Sequence, residues 1–280
     1  MARLGENRYG KSRVRLSRIT RHDDRHIFQE WNVRVLLQGE FESSFTDADN
    51  SKLLPTDTMK NTVYSLARDS KSLIIEEFAM ELGDYLLHNN PQVNSVQIDI
   101  SERAWKPLIV QHQPEAHTFK LDGPELQTVQ ANRTRAQTWT ITSGVDGLTI
   151  LKTARSGFEG FVVDKLTTLK PVADRIFGTS ATITWQYVSS EPQYTKVREQ
   201  VLSALLQEFA AHDSKSVQHT LFDMGKAALA AAPDVARITL TMPNLHHLLA
   251  DLSRFGQDNP NHIFVPIDEP HGYIEATIER

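Results

Sequence analysis

Arg13-Val14-Arg15-Leu16-Ser17-Arg18-Ile19 alternates charged or polar residues with apolar ones, the period-2 pattern of a β-strand with one wet and one buried face. Trp31-Asn32-Val33-Arg34-Val35-Leu36-Leu37 follows after the polar turn His22-Asp23-Asp24, and the two stretches predict a long hairpin. From Ser72 the spacing changes. Leu73, Ile74, Phe78, Leu82, Tyr85 and Leu86 recur every three or four residues, which puts one apolar stripe on a helix that covers one face of the sheet. Strand patterning returns at residues 95–100 and 117–121, the second expected to stop at Asp122-Gly123-Pro124. The first half therefore reads strand, strand, helix, strand, strand.

The second half repeats this order. Thr138-Trp139-Thr140-Ile141-Thr142 and Leu148-Thr149-Ile150-Leu151 flank Gly144-Val145-Asp146-Gly147, which has the residue chemistry of a hairpin turn. Residues 181–187 form another strand, and Val197, Val201, Leu205 and Phe209 line one face of a helix. A further helix spans 217–231, and Arg237-Ile238-Thr239-Leu240-Thr241-Met242 is a strand halted by Pro243. We read an α+β tandem duplication, antiparallel sheets with helices on one face, whose domains are residues 1–135 and 136–280. No Gly/Ser/Pro-rich linker separates them, so a shared sheet is expected in place of two loosely tethered beads. The long edges of such half-barrels favour closure by oligomerisation.

Composition narrows the function. The chain has 280 residues, 40% hydrophobic and 23% charged, which suits a globular protein and excludes collagen, coiled coil and bulk disorder. Thirty Lys and Arg against 35 Asp and Glu leave a net charge of −5, no general reason for nucleic acid to bind. Eight basic residues among the first 25 alternate with Val14, Leu16 and Ile19 and so read as a solvated strand face. Cysteine is absent, which removes disulfides, thiolate metal sites and a Cys nucleophile. No stretch has the roughly 18 consecutive apolar residues of a membrane helix, and the N-terminal residues lack an apolar signal core. The C-terminal Ala276-Thr277-Ile278-Glu279-Arg280 lacks the peroxisomal Ser-Lys-Leu address. The expectation is a cytoplasmic protein with no membrane or nucleic-acid partner.

No P-loop, GxGxxG, HExxH or GxSxG motif occurs. Five polar segments at element ends remain, and each has a plain structural reading beside a functional one. In Tyr9-Gly10-Lys11-Ser12-Arg13, Lys11 is either an exposed cation or a desolvated general base. In the segment from Leu53 to Tyr64, Thr56 or Asp57 is a helix N-cap or a polar site group. Phe158 and Phe161 are core or ligand-facing aromatics, and Arg175 is a surface cation or an anion grip. Ser216-Val217-Gln218-His219-Thr220 is the first turn of a helix in either case. Met242-Pro243-Asn244-Leu245-His246-His247 carries adjacent histidines without the i, i+4 spacing of a helical metal pair, so no metal ligands are expected there.

Taken together, in this order and at these separations, the five segments resemble the urate oxidase (uricase) family across most of the chain. Phe255-Gly256-Gln257-Asp258-Asn259-Pro260-Asn261, followed by Gly272-Tyr273-Ile274-Glu275-Ala276-Thr277-Ile278, is similar to the actinobacterial type. The resemblance implies two tunnelling-fold (T-fold) domains of ββααββ order in a homotetramer with a central tunnel. It also implies cofactor-free oxidation of urate by dioxygen and water to 5-hydroxyisourate and hydrogen peroxide. Lys11, Thr56 and His246 match the family's proton relay, and Phe158 its stacking aromatic. Arg175 and Gln218 match the pair that grips urate from opposite edges, assisted by the backbone of Val217, with Asp57 at the rim. Asn244 matches the residue at the peroxo or water site above the ring. Thr56 and Asp57 are implied to come from a neighbouring subunit.

These assignments are chemically coherent. Urate is flat and anionic with carbonyl and N–H edges, which an Arg fork and an amide satisfy directionally while an aromatic holds its face. The purine can supply the electrons, so the protein must move protons and hold water. Ala154, Leu166 and Leu245 depart from the family's usual hydroxyl, aromatic and Lys at those positions, which affects local packing. Two rivals stay open at this point: a pterin or cyclohydrolase-type enzyme on the same fold, which would use a Glu anchor and often Cys/His zinc ligands, and a non-catalytic purine-binding protein.

Overall fold

The computed structural model describes residues 2–189 and 191–280. The chain runs through β1 (Tyr9–Arg21), β2 (His26–Gly39), α1 (Glu42–Thr46), α2 (Thr56–Asp69), α3 (Ile75–Asn89), β3 (Val93–Val110), β4 (Gln113–Thr134) and β5 (Thr140–Lys152). It continues through β6 (Phe177–Tyr187), α4 (Tyr194–Ala211), α5 (Val217–Ala231), β7 (Val235–Thr241), β8 (Asn244–Leu249), β9 (Phe264–Gly272) and β10 (Glu275–Glu279). Two compact units result, one of Met1–Gly144 with Gln186–Tyr194 and the other of Val145–Trp185 with Thr195–Arg280.

In the first unit the strands lie in the order β1-β2-β3-β4, each pair antiparallel. The alternation read from the sequence is the observed one: Val14, Trp31, Val33, Val35 and Leu37 are buried, with Ile98, Ile100, Val129 and Ala131 from β3 and β4 joining the same core. Burying each of the Val, Leu and Ile side chains contributes roughly 1.5–3 kcal/mol. Trp31 packs on Phe78 of α3 with ring centroids 4.9 Å apart, and its indole N–H donates to Glu102 at 2.8 Å, which satisfies the one polar atom it carries inward. The opposite face is polar, as in the Arg34–Asp99 pair at 2.8 Å.

Four local expectations are corrected. The apolar stripe of α3 is Ile75, Phe78, Ala79, Leu82 and Leu86, whereas Leu73 and Tyr85 are 37% and 44% exposed; the helix begins at Ile75, so the i+3 and i+4 positions count from there. A second long helix, α2, lies where one helix was read, because only Met59, Val63 and Ala67 face inward and its other positions are polar. Thr56 and Asp57 do not cap it; Pro55 holds the cap position without a side-chain bond, and Thr56 starts the helix. Asp122-Gly123-Pro124 does not end its strand: β4 runs on to Thr134, and the register moves from Arg103 opposite Leu126 to Trp105 opposite Leu121, so the intervening residues bulge out.

A fifth correction falls on the second half. Gly144-Val145-Asp146-Gly147 makes no hairpin, because β5 passes straight through it. Asp146 accepts a 2.6 Å hydrogen bond from Thr182 of β6, a cross-strand partner that local sequence cannot announce. In the second unit β5, β6, β7 and β10 follow one another, with β8 pairing β6 at Gly178 and also pairing β9. Val197, Val201, Leu205 and Phe209 of α4 are buried as their spacing predicts, and α5 occupies the expected 217–231. Leaving out α1 and the β8–β9 excursion, the order ββααββ occurs twice.

Candidate active site

The second unit closes a cavity of about 410 Å³, within the ~300–1,000 Å³ of small-molecule sites. Phe158, Arg175, Val217, Gln218, Asn244 and His246, six of the residues singled out in the sequence, line it together. Three separate stretches supply them, joined by backbone hydrogen bonds. Ser214 N–H donates to Arg155 C=O at 2.9 Å and Gly157 N–H to Ser214 C=O at 2.8 Å, which ties the loop before Phe158 to the entry of α5. Phe158 and Val172 exchange bonds of 2.7 and 3.1 Å, and Arg175 N–H donates to Ser156 C=O at 2.7 Å. Gly157 is required by this closure, since a Cβ there would stand 2.8 Å from the Ala173 carbonyl oxygen.

Phe158 stacks on Phe161, with centroids 5.0 Å apart and planes 12° from parallel. The Arg175 guanidinium carbon lies 5.3 Å from the Phe158 ring centre. Burial lowers the pKa of Arg175 from its ordinary value with no acid opposing the shift, and its Nε is buried without an acceptor among the described residues. An unneutralised, still-protonated guanidinium facing a cavity is a site for an anion. Burial is also the main cause that lowers the His246 pKa, with the charges of Arg175 and His271 next. Its imidazole is therefore neutral near neutral pH and able to both accept and donate a proton.

Ser216 caps α5 by accepting from His219 N–H at 3.1 Å. The amides of Val217 and Gln218, in the first turn, have no intrahelical acceptor and point out of the helix start, where negative charge is favoured. Asn244, buried after Pro243, begins β8 opposite Gly272. The sequence reading missed Leu169, Val172, Ile176, His247, Leu248, Leu249 and Ile274 as lining residues. Apart from His247 they are apolar and look like ordinary core, so only the fold reveals them.

Lys11, Thr56 and Asp57 belong to the first unit, where they form a second group. The Tyr9 hydroxyl donates to Leu54 C=O at 3.1 Å and accepts from Leu54 N–H at 2.7 Å, which pins the start of α2 beside β1. Gly10 lets β1 approach β2, because a Cβ there would fall 1.8 Å from the Val35 carbonyl oxygen. The pairing then slips between Lys11 and Val14, with Arg13 at φ 59°, so Lys11 sits at the edge of a bulge. Asp57 is exposed; a 2.5 Å bond from Lys60 is the chief cause that lowers its pKa, and the Lys11 charge adds to it.

An aromatic wall, a bare guanidinium, a helix start and a neutral histidine around one cavity define a site for a planar, anionic small molecule whose protons are moved during reaction. Comparison with known proteins gives that class a family. A family model described as Uricase matches residues 7–132 and 141–275. Uricase of Dictyostelium discoideum is 40% identical over 283 residues, covering 100% of this chain and 98% of its own. Uricase of Arthrobacter globiformis is 38% identical over 277 residues, covering 99% of this chain and 90% of its own. The crystal structure of the Arthrobacter enzyme superposes with a TM-score of 0.94 over 100% of this chain and 96% of that one. The chain belongs to the uricase family, and it is a urate-oxidising oxidoreductase with tandem T-fold architecture.

Proposed function

We propose that this chain catalyses the cofactor-independent reaction of urate, dioxygen and water to 5-hydroxyisourate and hydrogen peroxide, a step of purine degradation. Urate gives up two electrons and dioxygen takes them with two protons; water supplies the hydroxyl oxygen. The observation that carries this reading is the Arg175 guanidinium, its buried Nε without an acceptor among the described residues, over Phe158 in a cavity that also holds His246.

In this reading Arg175 and the Gln218 amide hold opposite edges of the purine, with the Val217 N–H as a further donor. Phe158 stacks on its face, and Asn244 holds dioxygen or water above the ring. Lys11 and Thr56 form the base that takes the urate proton, and His246 completes the relay to water. Asp57 orients the rim. Lys11, Thr56 and Asp57 lie in the first unit, and the site is completed by Thr56 and Asp57 of a neighbouring copy in a homotetramer. Val162 and Leu166, 90% and 79% exposed in the single chain, are apolar surface available for such assembly. The repeat of ββααββ order supports two T-fold domains, residues 1–135 and 136–280.

The decisive assay follows the loss of urate absorbance in air-saturated buffer with EDTA, coupled to peroxide detection and repeated without oxygen. Oxygen-dependent loss with one peroxide per urate is expected; loss without oxygen, or none in folded and assembled protein, rejects the reaction. Phe158→Ala is expected to weaken urate binding by about 1–3 kcal/mol, the worth of base–aromatic stacking. Equilibrium titration of a non-reacting urate analogue checks it, and unchanged affinity would remove Phe158 from the ligand's face.

A further inference from the structure

Outside the cavity, His212, His219 and Asp223 converge on one point of the second unit. One ligand atom from each lies within 4.8 Å of the other two. His219 and Asp223 stand one turn apart on α5, so both project from the same helix face. His212 follows the last residue of α4 and is held there by its own N–H, which donates to Glu208 C=O at 2.8 Å, and by Lys152, whose ammonium reaches the His212 C=O at 2.5 Å. Two rigid elements thus present three ligand-type side chains before anything binds.

Two of the three distances at this point are long for hydrogen bonds. His212 Nδ1 is 3.5 Å from Asp223 Oδ2 and 3.5 Å from Glu208 Oε1, beyond the ordinary N–H···O range. His219 Nε2 is 3.2 Å from the same Asp223 oxygen. Donors about 2.0–2.1 Å from a tetrahedral zinc ion are separated from one another by about 3.3 Å, close to the 3.5 and 3.2 Å between each histidine and Asp223. The His212 side chain is only 9% exposed, and its Nε2 has no hydrogen-bond partner among the described residues. A metal ion on Nδ1 would engage that nitrogen, while Nε2, on the other edge of the ring, plays no part in the site.

We propose that His212 Nδ1, His219 Nε2 and Asp223 Oδ2 bind a divalent transition-metal ion of the zinc type, with Glu208 Oε1 as the fourth donor. The two imidazole nitrogens in the set favour a zinc-type ion over calcium and magnesium, which take oxygen ligands. Lys226, 3.4 Å from the other Asp223 oxygen and exposed, is free to swing away. The bound ion clamps the end of α4 to the first turn of α5, whose Val217 and Gln218 line the cavity. The site is separate from the proposed oxidation, which uses no metal.

The test is calorimetric titration of chelator-treated, full-length protein with zinc chloride, and with magnesium chloride as the comparison. One zinc per chain and no magnesium binding are expected. His219→Ala and, separately, Asp223→Asn are each expected to weaken zinc binding by more than about 100-fold, since even outer partners of a metal site are worth ~10–100-fold. Both residues are on the surface of α5, and circular dichroism verifies that the variants stay folded. Wild-type protein that binds no zinc overturns the proposal, as does zinc affinity equal to wild type in a chain carrying both His219→Ala and Asp223→Asn. The latter outcome would place the ion elsewhere, such as at His246 and His247.

Discussion

Lys11→Met is expected to lower kcat by about 10²–10⁴-fold, the usual worth of a positioned general base, while a non-reacting urate analogue still binds with nearly wild-type affinity. The expectation follows from where Lys11 stands. Gly10 and the bulge at Lys11 and Val14 place it at the edge of β1, and Tyr9 fastens the start of α2 alongside. Neither the core nor the cavity of the second unit depends on its side chain, so the substitution tests chemistry more than folding. Lys11→Arg should fail almost as badly, because a guanidinium keeps the charge and cannot give up its proton. Steady-state rates set beside analogue affinity decide the matter. Equal losses in both would mean that Lys11 binds urate and does not act on it.

Arg175→Met is expected to do the opposite and act mainly on binding. A hydrogen bond to a charged group is worth about 1.5–3 kcal/mol, so a two-pronged grip on an anion contributes roughly 3–6 kcal/mol and its loss raises Kd by about 10²–10⁴-fold. A second signature separates this from simple damage to the cavity. The Arg175 charge is one of the causes that hold the His246 pKa down, after burial. Removing it lets that pKa rise toward its ordinary value, so His246 takes up a proton at higher pH and the acid limb of kcat/KM moves upward. The sign of the stability effect agrees. In wild type the lowered pKa means the unfolded chain binds the proton first, so His246 costs stability as pH falls through the unfolded value toward the folded one. In Arg175→Met that window narrows. An acid limb unchanged in Arg175→Met would show that the two side chains do not share the site electrostatically.

Periodicity carried much of the fold. The alternation around Val14, Val33 and Val35 and the stripe of Val197, Val201, Leu205 and Phe209 are visible in the chain and buried in the molecule. These are local signals: a strand's faces repeat every two residues and a helix's about every 3.6, whatever lies elsewhere. Where local and distant influences compete, the local reading failed. Asp122-Gly123-Pro124 has turn chemistry but bulges out of a strand held by β3 on both sides of it. Gly144-Val145-Asp146-Gly147 likewise has the composition of a hairpin and is kept extended, with Asp146 bonded to Thr182. Helix α2 entered only as one reading of Thr56 and Asp57, because three inward residues among many polar ones make a faint stripe.

Six residues that line the cavity were also singled out in the sequence, through motifs that resemble the uricase family, although no motif says how its residues meet. Phe158, Arg175, Val217, Gln218, Asn244 and His246 share a cavity because backbone bonds among residues 155–158, 172–175 and 214 fold one loop onto the entry of α5, while Pro243 and the β8–β9 pairing deliver Asn244 and His246. The neutral state of His246 and the bare charge of Arg175 arise from burial and mutual proximity. The residue types and the strand and helix periods are properties of neighbours along the chain. The cavity, its charges and the convergence of His212, His219 and Asp223 come from contacts between residues distant in sequence, which exist once the backbone has paid its entropy and closed.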